Sequence, residues 1–114
     1  KVKKKLKNFS KIKIKNDGID IQTKKDSRVK SIFSGIISTV AFIPGMNNVI
    51  IIKHGNYFSL YARLKNLKVE KGDIVKSGDY LADVITNNEG TTELHFQIWK
   101  NNIKLNPEKW IYRK

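Results

Sequence analysis

The chain contains no cysteine. That excludes disulfides and thiolate metal sites, and it leaves the compartment open, because cytosolic and exported proteins can both lack the residue. Long apolar runs are missing too. No stretch approaches the roughly 20 consecutive apolar residues of a membrane-spanning helix, so no membrane span is expected. No basic start followed by an apolar core and a cleavage site marks an export signal. The first residue is Lys1 rather than Met, which suits a fragment or processed product, with any export signal or anchor expected in the missing part. Acidic residues are scarce: 10 Asp and Glu against 23 Lys and Arg leave a formal charge of +13. Eight of the first fifteen residues are lysine. A nucleic-acid surface would interleave such charge with exposed aromatics or carry it on a helix. Only Phe9 falls in that segment, and no helix-turn-helix, zinc-finger or RNP-like motif follows. No nucleic-acid partner is expected. The excess reflects a Lys-, Asn- and Ile-rich composition, with attraction to an acidic protein or an anionic wall polymer as the alternative.

A sustained helical period is also lacking, as are a phosphate-cradling glycine loop, Cys/His finger spacing and a Gly-x-Ser-x-Gly elbow. What remains is strand and turn. Lys11 to Lys15 alternates and reads as an edge strand guarded by lysines. Asn16-Asp17-Gly18 is turn chemistry, after which Ile19 and Ile21 resume alternation. Val29 to Phe33 and Gly35 to Ile43 are β-branched runs separated at Ser34-Gly35. Pro44-Gly45 turns the chain into Asn48 to Lys53, and His54-Gly55-Asn56 turns it into the alternating stretch Tyr57 to Leu64. Gly72-Asp73 and Gly78-Asp79 bracket one short strand, Tyr80 to Ile85 forms another, and Asn87 to Gly90 leads into the last. Short strands with frequent turns predict an all-β fold, a compact antiparallel sandwich or barrel. With 114 residues it is one domain with a single core. Residues 1–11 are set apart as a basic extension or edge strand, and 12–114 as the domain.

Glu93 to Trp99 alternates cleanly. Leu94, Phe96 and Ile98 face one way, and Glu93, His95, Gln97 and Trp99 face the other. A carboxylate, an imidazole and an amide in consecutive outward positions can floor a site, or can be an ordinary solvent face. The stretch Asn16 to Ile21 could lie beside it.

Six collinear motifs carry a resemblance. They are Gly18-Ile19-Asp20-Ile21, Ser34-Gly35-Ile36-Ile37, Ile50 to Tyr57, Leu60-Tyr61-Ala62-Arg63-Leu64, Lys71 to Gly78, and Leu94 to Trp99. Together they resemble the LytM-type (lysostaphin-like) zinc endopeptidase domain, with its duplicated-hybrid-motif-like β fold, over about residues 12 to 112. Catalytic members of that family cut peptidoglycan cross-links with one zinc ion. Its ligands come from a His-x-x-x-Asp segment and the second His of a His-x-His segment. The first His of that pair and the His of a Tyr-x-His-Leu segment assist the attacking water. On this mapping Asp20 and His95 keep ligand positions. Asn16 stands in place of the first ligand His, Glu93 in place of the first His of the pair, and Arg63 in place of the Tyr-x-His-Leu histidine.

Those changes have chemical consequences. A catalytic zinc uses three protein ligands and a water, and an Asn amide oxygen is a poor substitute for imidazole. Arg63 brings a permanent cation that opposes a divalent ion and cannot act as a base. Glu93 could serve as a replacement ligand, but the family mapping puts it beside the water, where Arg63 competes for it. The resemblance therefore implies no enzyme activity, no zinc and no other cofactor. Arg63 and Glu93 are expected to form an ion pair across the old cleft, and His54 to order its turn by hydrogen bonding. Phe42 to Val49, His54 to Phe58 and Leu94 through Glu108 further resemble the murein hydrolase activator (EnvC-like) branch. There, a dead peptidase domain binds a peptidoglycan amidase and pulls an inhibitory helix off its active site during septal splitting. The implied partner is an amidase, with peptidoglycan or division proteins as alternatives, and the implied location is the periplasm or cell envelope of a bacterium. The implied partner-binding groove comprises Asn16, Asp20, Tyr57, Tyr61, Arg63, Glu93, His95 and Gln97, with Trp99 as a further anchor. A peptidoglycan-binding scaffold and a weak zinc endopeptidase are the competing functions.

Overall fold

The computed structural model describes residues 11–15, 18–100 and 103–105, with side chains over 18–100. Ten strands account for its regular structure, and the described residues contain no helix. They are β1 (Lys11–Lys15), β2 (Gly18–Gln22), β3 (Arg28–Lys30), β4 (Gly35–Ile43), β5 (Asn47–His54), β6 (Tyr57–Lys65), β7 (Ile74–Val75), β8 (Tyr80–Val84), β9 (Glu93–Lys100) and β10 (Ile103–Leu105). Every pairing is antiparallel, in the order β1-β2-β9-β6-β5-β4-β7. Beyond the start of β2, β10 continues along β9, while β8 pairs with the far end of β6 and carries β3.

Two elements differ from the sequence expectation. Val29 to Phe33 yields only the three-residue β3, because Ser31 turns the chain: its hydroxyl donates to the Phe33 carbonyl at 2.6 Å and its N–H to the Asp79 carbonyl at 2.9 Å. The strand β10 was not anticipated. The Lys-rich β1 takes the sheet edge, as its alternation predicted.

Alternation sorts the central strands into two faces. Ile19 and Ile21 of β2, Phe96 and Ile98 of β9, Tyr61 of β6, Ile50 and Ile52 of β5 and Ile37 of β4 are buried in one core. Val29, Val75, Leu81 and Val84 complete it. Each such side chain contributes about 1.5–3 kcal/mol of burial free energy. The opposite face carries Asp20 across from His95, and on the other flank of β9 places Ala62, Leu60 and Phe58 opposite His95, Gln97 and Trp99.

Strand β6 breaks its own alternation once. Asn48 pairs with Leu64 but Ile50 pairs with Tyr61, so Ala62 and Arg63 together oppose Val49. This is a β-bulge, and Arg63 takes φ of 66° to make it. Left-handed backbone at a non-glycine residue costs about 1 kcal/mol or more. The Arg63 N–H donates to the Met46 carbonyl and its carbonyl accepts from the Ile85 N–H, which hold the conformation in place. The bulge moves Arg63 to the polar face and returns Leu64 to the core.

Two glycines permit close approach. A Cβ at Gly18, where φ is 131°, would lie 2.6 Å from both the Phe96 carbonyl oxygen and Gln97 Cγ. A Cβ at Gly35 would lie 2.4 Å from the Lys53 carbonyl oxygen and 2.7 Å from His54 Nδ1. Gly35→Ala is expected to lower stability by about 2 kcal/mol through that backbone overlap. Gly90→Ala, which meets nothing within 4 Å, should cost about 1 kcal/mol for its positive φ alone. Urea midpoints at unchanged slope check both values.

Candidate functional site

The polar face of β9 holds a continuous hydrogen-bonded chain. An indole N–H can only donate, so Trp99 Nε1, 2.7 Å from Gln97 Oε1, fixes which end of that amide is oxygen. The Gln97 nitrogen then faces His95 Nε2 at 2.9 Å and donates to it. With its Nε2 lone pair accepting, His95 carries its proton on Nδ1 and gives it to Asp20 Oδ1 at 2.7 Å. Arg63 Nη1 donates to the same Oδ1 at 3.0 Å and lies 3.6 Å from Glu93 Oε1.

Burial divides this chain into floor and rim. Asp20, His95 and Gln97 are 1%, 2% and 5% exposed. The side chains of Arg63 and Glu93 retain 29% and 17%. A carboxylate removed from water needs positive charge and donors to remain stable. Asp20 receives both at one oxygen, from the bulge-delivered guanidinium and from the His95 N–H. Charge-assisted bonds of this kind are the stronger class of protein hydrogen bond.

Among the described residues, the arrangement around Asp20 and His95 does not fit a zinc ion. Both ring nitrogens of His95 are engaged, one by Asp20 and the other by Gln97, and the Arg63 cation sits against Asp20. Among the described residues, no group of three or more His, Cys, Asp or Glu side chains is placed to hold a metal. Asn16, the remaining position of the expected ligand set, lies outside the described residues.

Of the groove residues expected from sequence, Asp20, Arg63, Glu93, His95 and Gln97 come together. Tyr57 and Tyr61 do not, and both require correction. Tyr61 is 1% exposed, its ring centre 5.2 Å from that of Phe96. Its hydroxyl accepts the Ile32 N–H at 3.2 Å, and burial pushes the phenol above its ordinary pKa. Tyr57 shares the parity of Tyr61 and lines a cavity of about 260 Å³ with Phe33, His54, Phe58, Ser59 and Ile98. The expected Arg63–Glu93 pair is present, but the shorter contact is with Asp20. Phe58 and Leu60 were not anticipated at the site. Their even parity within β6, opposite to that of Tyr57 and Tyr61, was the available signal.

His54 holds its turn as expected. Its Nδ1–H donates to the Ser34 carbonyl at 2.7 Å, and Nε2 accepts from the Ser59 hydroxyl at 2.6 Å. Burial lowers its pKa below the ordinary imidazole value, against the opposing effect of the Ser34 bond. The unfolded chain therefore binds this proton more readily than the folded one. The associated stability is complete above about pH 6.5 and is lost as pH falls through the window below it. Urea midpoints should drop between about pH 7.5 and about pH 5, with a flatter profile in His54→Asn. Arg63→Ala should cost about 2–3 kcal/mol, because it removes a guanidinium that bonds buried Asp20 at 3.0 Å. Lys65→Ala, which breaks a surface pair with Asp26 at 2.9 Å, should stay within about 0.5 kcal/mol. The same denaturation series measures both.

Comparison with known proteins gives one consistent answer. The Peptidase family M23 profile matches residues 14–107. Murein hydrolase activator NlpD of Salmonella dublin is 30% identical over 93% of the chain, and outer membrane antigenic lipoprotein B of Haemophilus influenzae is 32% identical over 86%. The chain spans 29% and 25% of those proteins' lengths. Lysostaphin of Staphylococcus simulans superposes with a TM-score of 0.79 at 23% identity, over 95% of this chain and 51% of that one, a likeness of fold. The NlpD relative is named a murein hydrolase activator, in line with the activator branch that the motifs resemble. An antiparallel β fold of the lysostaphin type and a profile match over most of its length make this chain a member of peptidase family M23, with a LytM-type domain.

Proposed function

We propose that this domain is a non-catalytic activator that binds a peptidoglycan amidase through its relic active-site face. The observation that carries the reading is Arg63. Its guanidinium lies on Asp20 and beside Glu93, so a cation of the protein itself neutralises the Asp20 carboxylate that a hydrolytic zinc would otherwise engage. The similarity to an NlpD named as a murein hydrolase activator supports the same reading. So does the similarity to an outer membrane lipoprotein, which favours the cell envelope.

Burial refines which residues would touch the partner. Asp20, His95 and Gln97 lie beneath the surface and position the others. Arg63, Glu93 and Trp99 are partly exposed above them, flanked by Phe58 and Leu60. An arginine and a tryptophan beside partly exposed apolar groups have the composition of an interface hot spot. Activation then follows from population shift: the domain binds the open amidase more tightly than the closed one and stabilises it by that difference.

The test is dye release from labelled sacculi by the source organism's amidase, with and without this domain. Release is expected only from the pair, and Arg63→Glu should lower the activated rate at least tenfold. Release by the domain alone would contradict the reading. The formal charge of +13 favours a second reading, a scaffold that binds anionic wall polymer. Sedimentation with sacculi without amidase, abolished by moderate salt, would support that one instead.

A further inference from the structure

Arg63 is the evident obstacle to a metal at this site, and the hydrogen bonds supply a second. We propose that Trp99, acting through Gln97, independently closes the Asp20–His95 pair to divalent cations.

The position of the His95 proton decides which atoms a metal can use. A metal shared by Asp20 and His95 has to use Nδ1, the nitrogen that faces Asp20 at 2.7 Å. A neutral imidazole has one proton, so metal at Nδ1 places it on Nε2. Nε2–H would then point at the Gln97 amide nitrogen, donor against donor, at 2.9 Å. Turning the Gln97 amide over relieves that clash and creates another, because its nitrogen then faces Trp99 Nε1–H, now 2.7 Å from Oε1. Indole has no acceptor form, so no proton shift repairs the arrangement. Gln97 is 5% exposed, which leaves little access for water to bridge the mismatch. The other nitrogen offers no way round, since Nε2 faces Gln97 and away from Asp20. Trp99 is thus a specificity-determining residue that touches neither Asp20 nor a metal. Its effect should equal about one buried hydrogen bond, roughly tenfold in affinity. The inference does not depend on which partner the domain binds.

Arg63→Ala removes the guanidinium from the Asp20–His95 pair, two metal-type ligands that face each other at 2.7 Å. Cobalt(II) titration followed by visible absorption would compare the full chain carrying Arg63→Ala with Arg63→Ala/Trp99→Phe. The double variant is expected to bind at least about tenfold more tightly. Equal affinities, or no binding by either variant, would overturn the inference. Arg63→Met, which keeps side-chain bulk, is the alternative background if Arg63→Ala does not fold. An independent readout uses the native chain: long-range proton–nitrogen NMR of its imidazoles should show His95 protonated at Nδ1 and bare at Nε2. A His95 protonated at Nε2 would also overturn it.

Discussion

A carboxylate buried to 1% exposure sets the terms for this site. Asp20 cannot keep its charge away from water without donors, and the fold provides them from two strands. His95 reaches it across the β2–β9 pairing. Arg63 reaches it only because β6 accommodates an extra residue and holds a left-handed backbone there. Without the bulge, strict alternation would drive a guanidinium into the apolar core and bring Leu64 to the polar face. The backbone cost at Arg63 is offset by the contacts its side chain makes with Asp20 and Glu93. Local strain and long-range electrostatics are thus coupled at a single position.

The same bulge marks the limit of what the sequence reveals. The strands, their turns and the all-β class were legible, because apolar alternation and glycine-centred turns are local signals. The polar face of β9 was legible for the same reason. Tyr57, Tyr61 and Arg63 share parity, and the family resemblance put all three in one groove. A two-against-one pairing opposite Val49 separates Arg63 from the two tyrosines, and nothing local in Tyr61-Ala62-Arg63-Leu64 announces it. Strand β10 was missed because the alternation of Ile103, Lys104 and Leu105 is too short to signal a strand apart from its pairing with β9. The Arg63–Glu93 contact was foreseeable from their joint change against the family pattern. The stronger contact with Asp20 needed the geometry.

Under the proposed reading, the polar chain from Trp99 to Glu93 lets a peptidase fold serve as a binding surface. Four hydrogen bonds link Trp99, Gln97, His95, Asp20 and Arg63 in series, which favours rigidity over chemistry. His95 donates to Asp20 and accepts from Gln97, so neither ring nitrogen is poised as a base toward a substrate. A rigid floor presents Arg63, Glu93 and Trp99 in fixed relation, as recognition of one partner conformation over another requires. Meanwhile the core side of the same strands supplies stability without involvement in the site. Tyr61 shows the division: three residues after Phe58 on the polar face, it packs against Phe96 and bonds the Ile32 backbone.

The central claim is that Arg63 and the His95 hydrogen bonds take the place of a metal. Its most direct test is the zinc content of the purified chain, measured by mass spectrometry after zinc saturation and gel filtration. Far less than one zinc per chain is expected. One tightly retained zinc per chain would contradict it, since the ion would have to displace the guanidinium from Asp20 and the proton from His95 Nδ1.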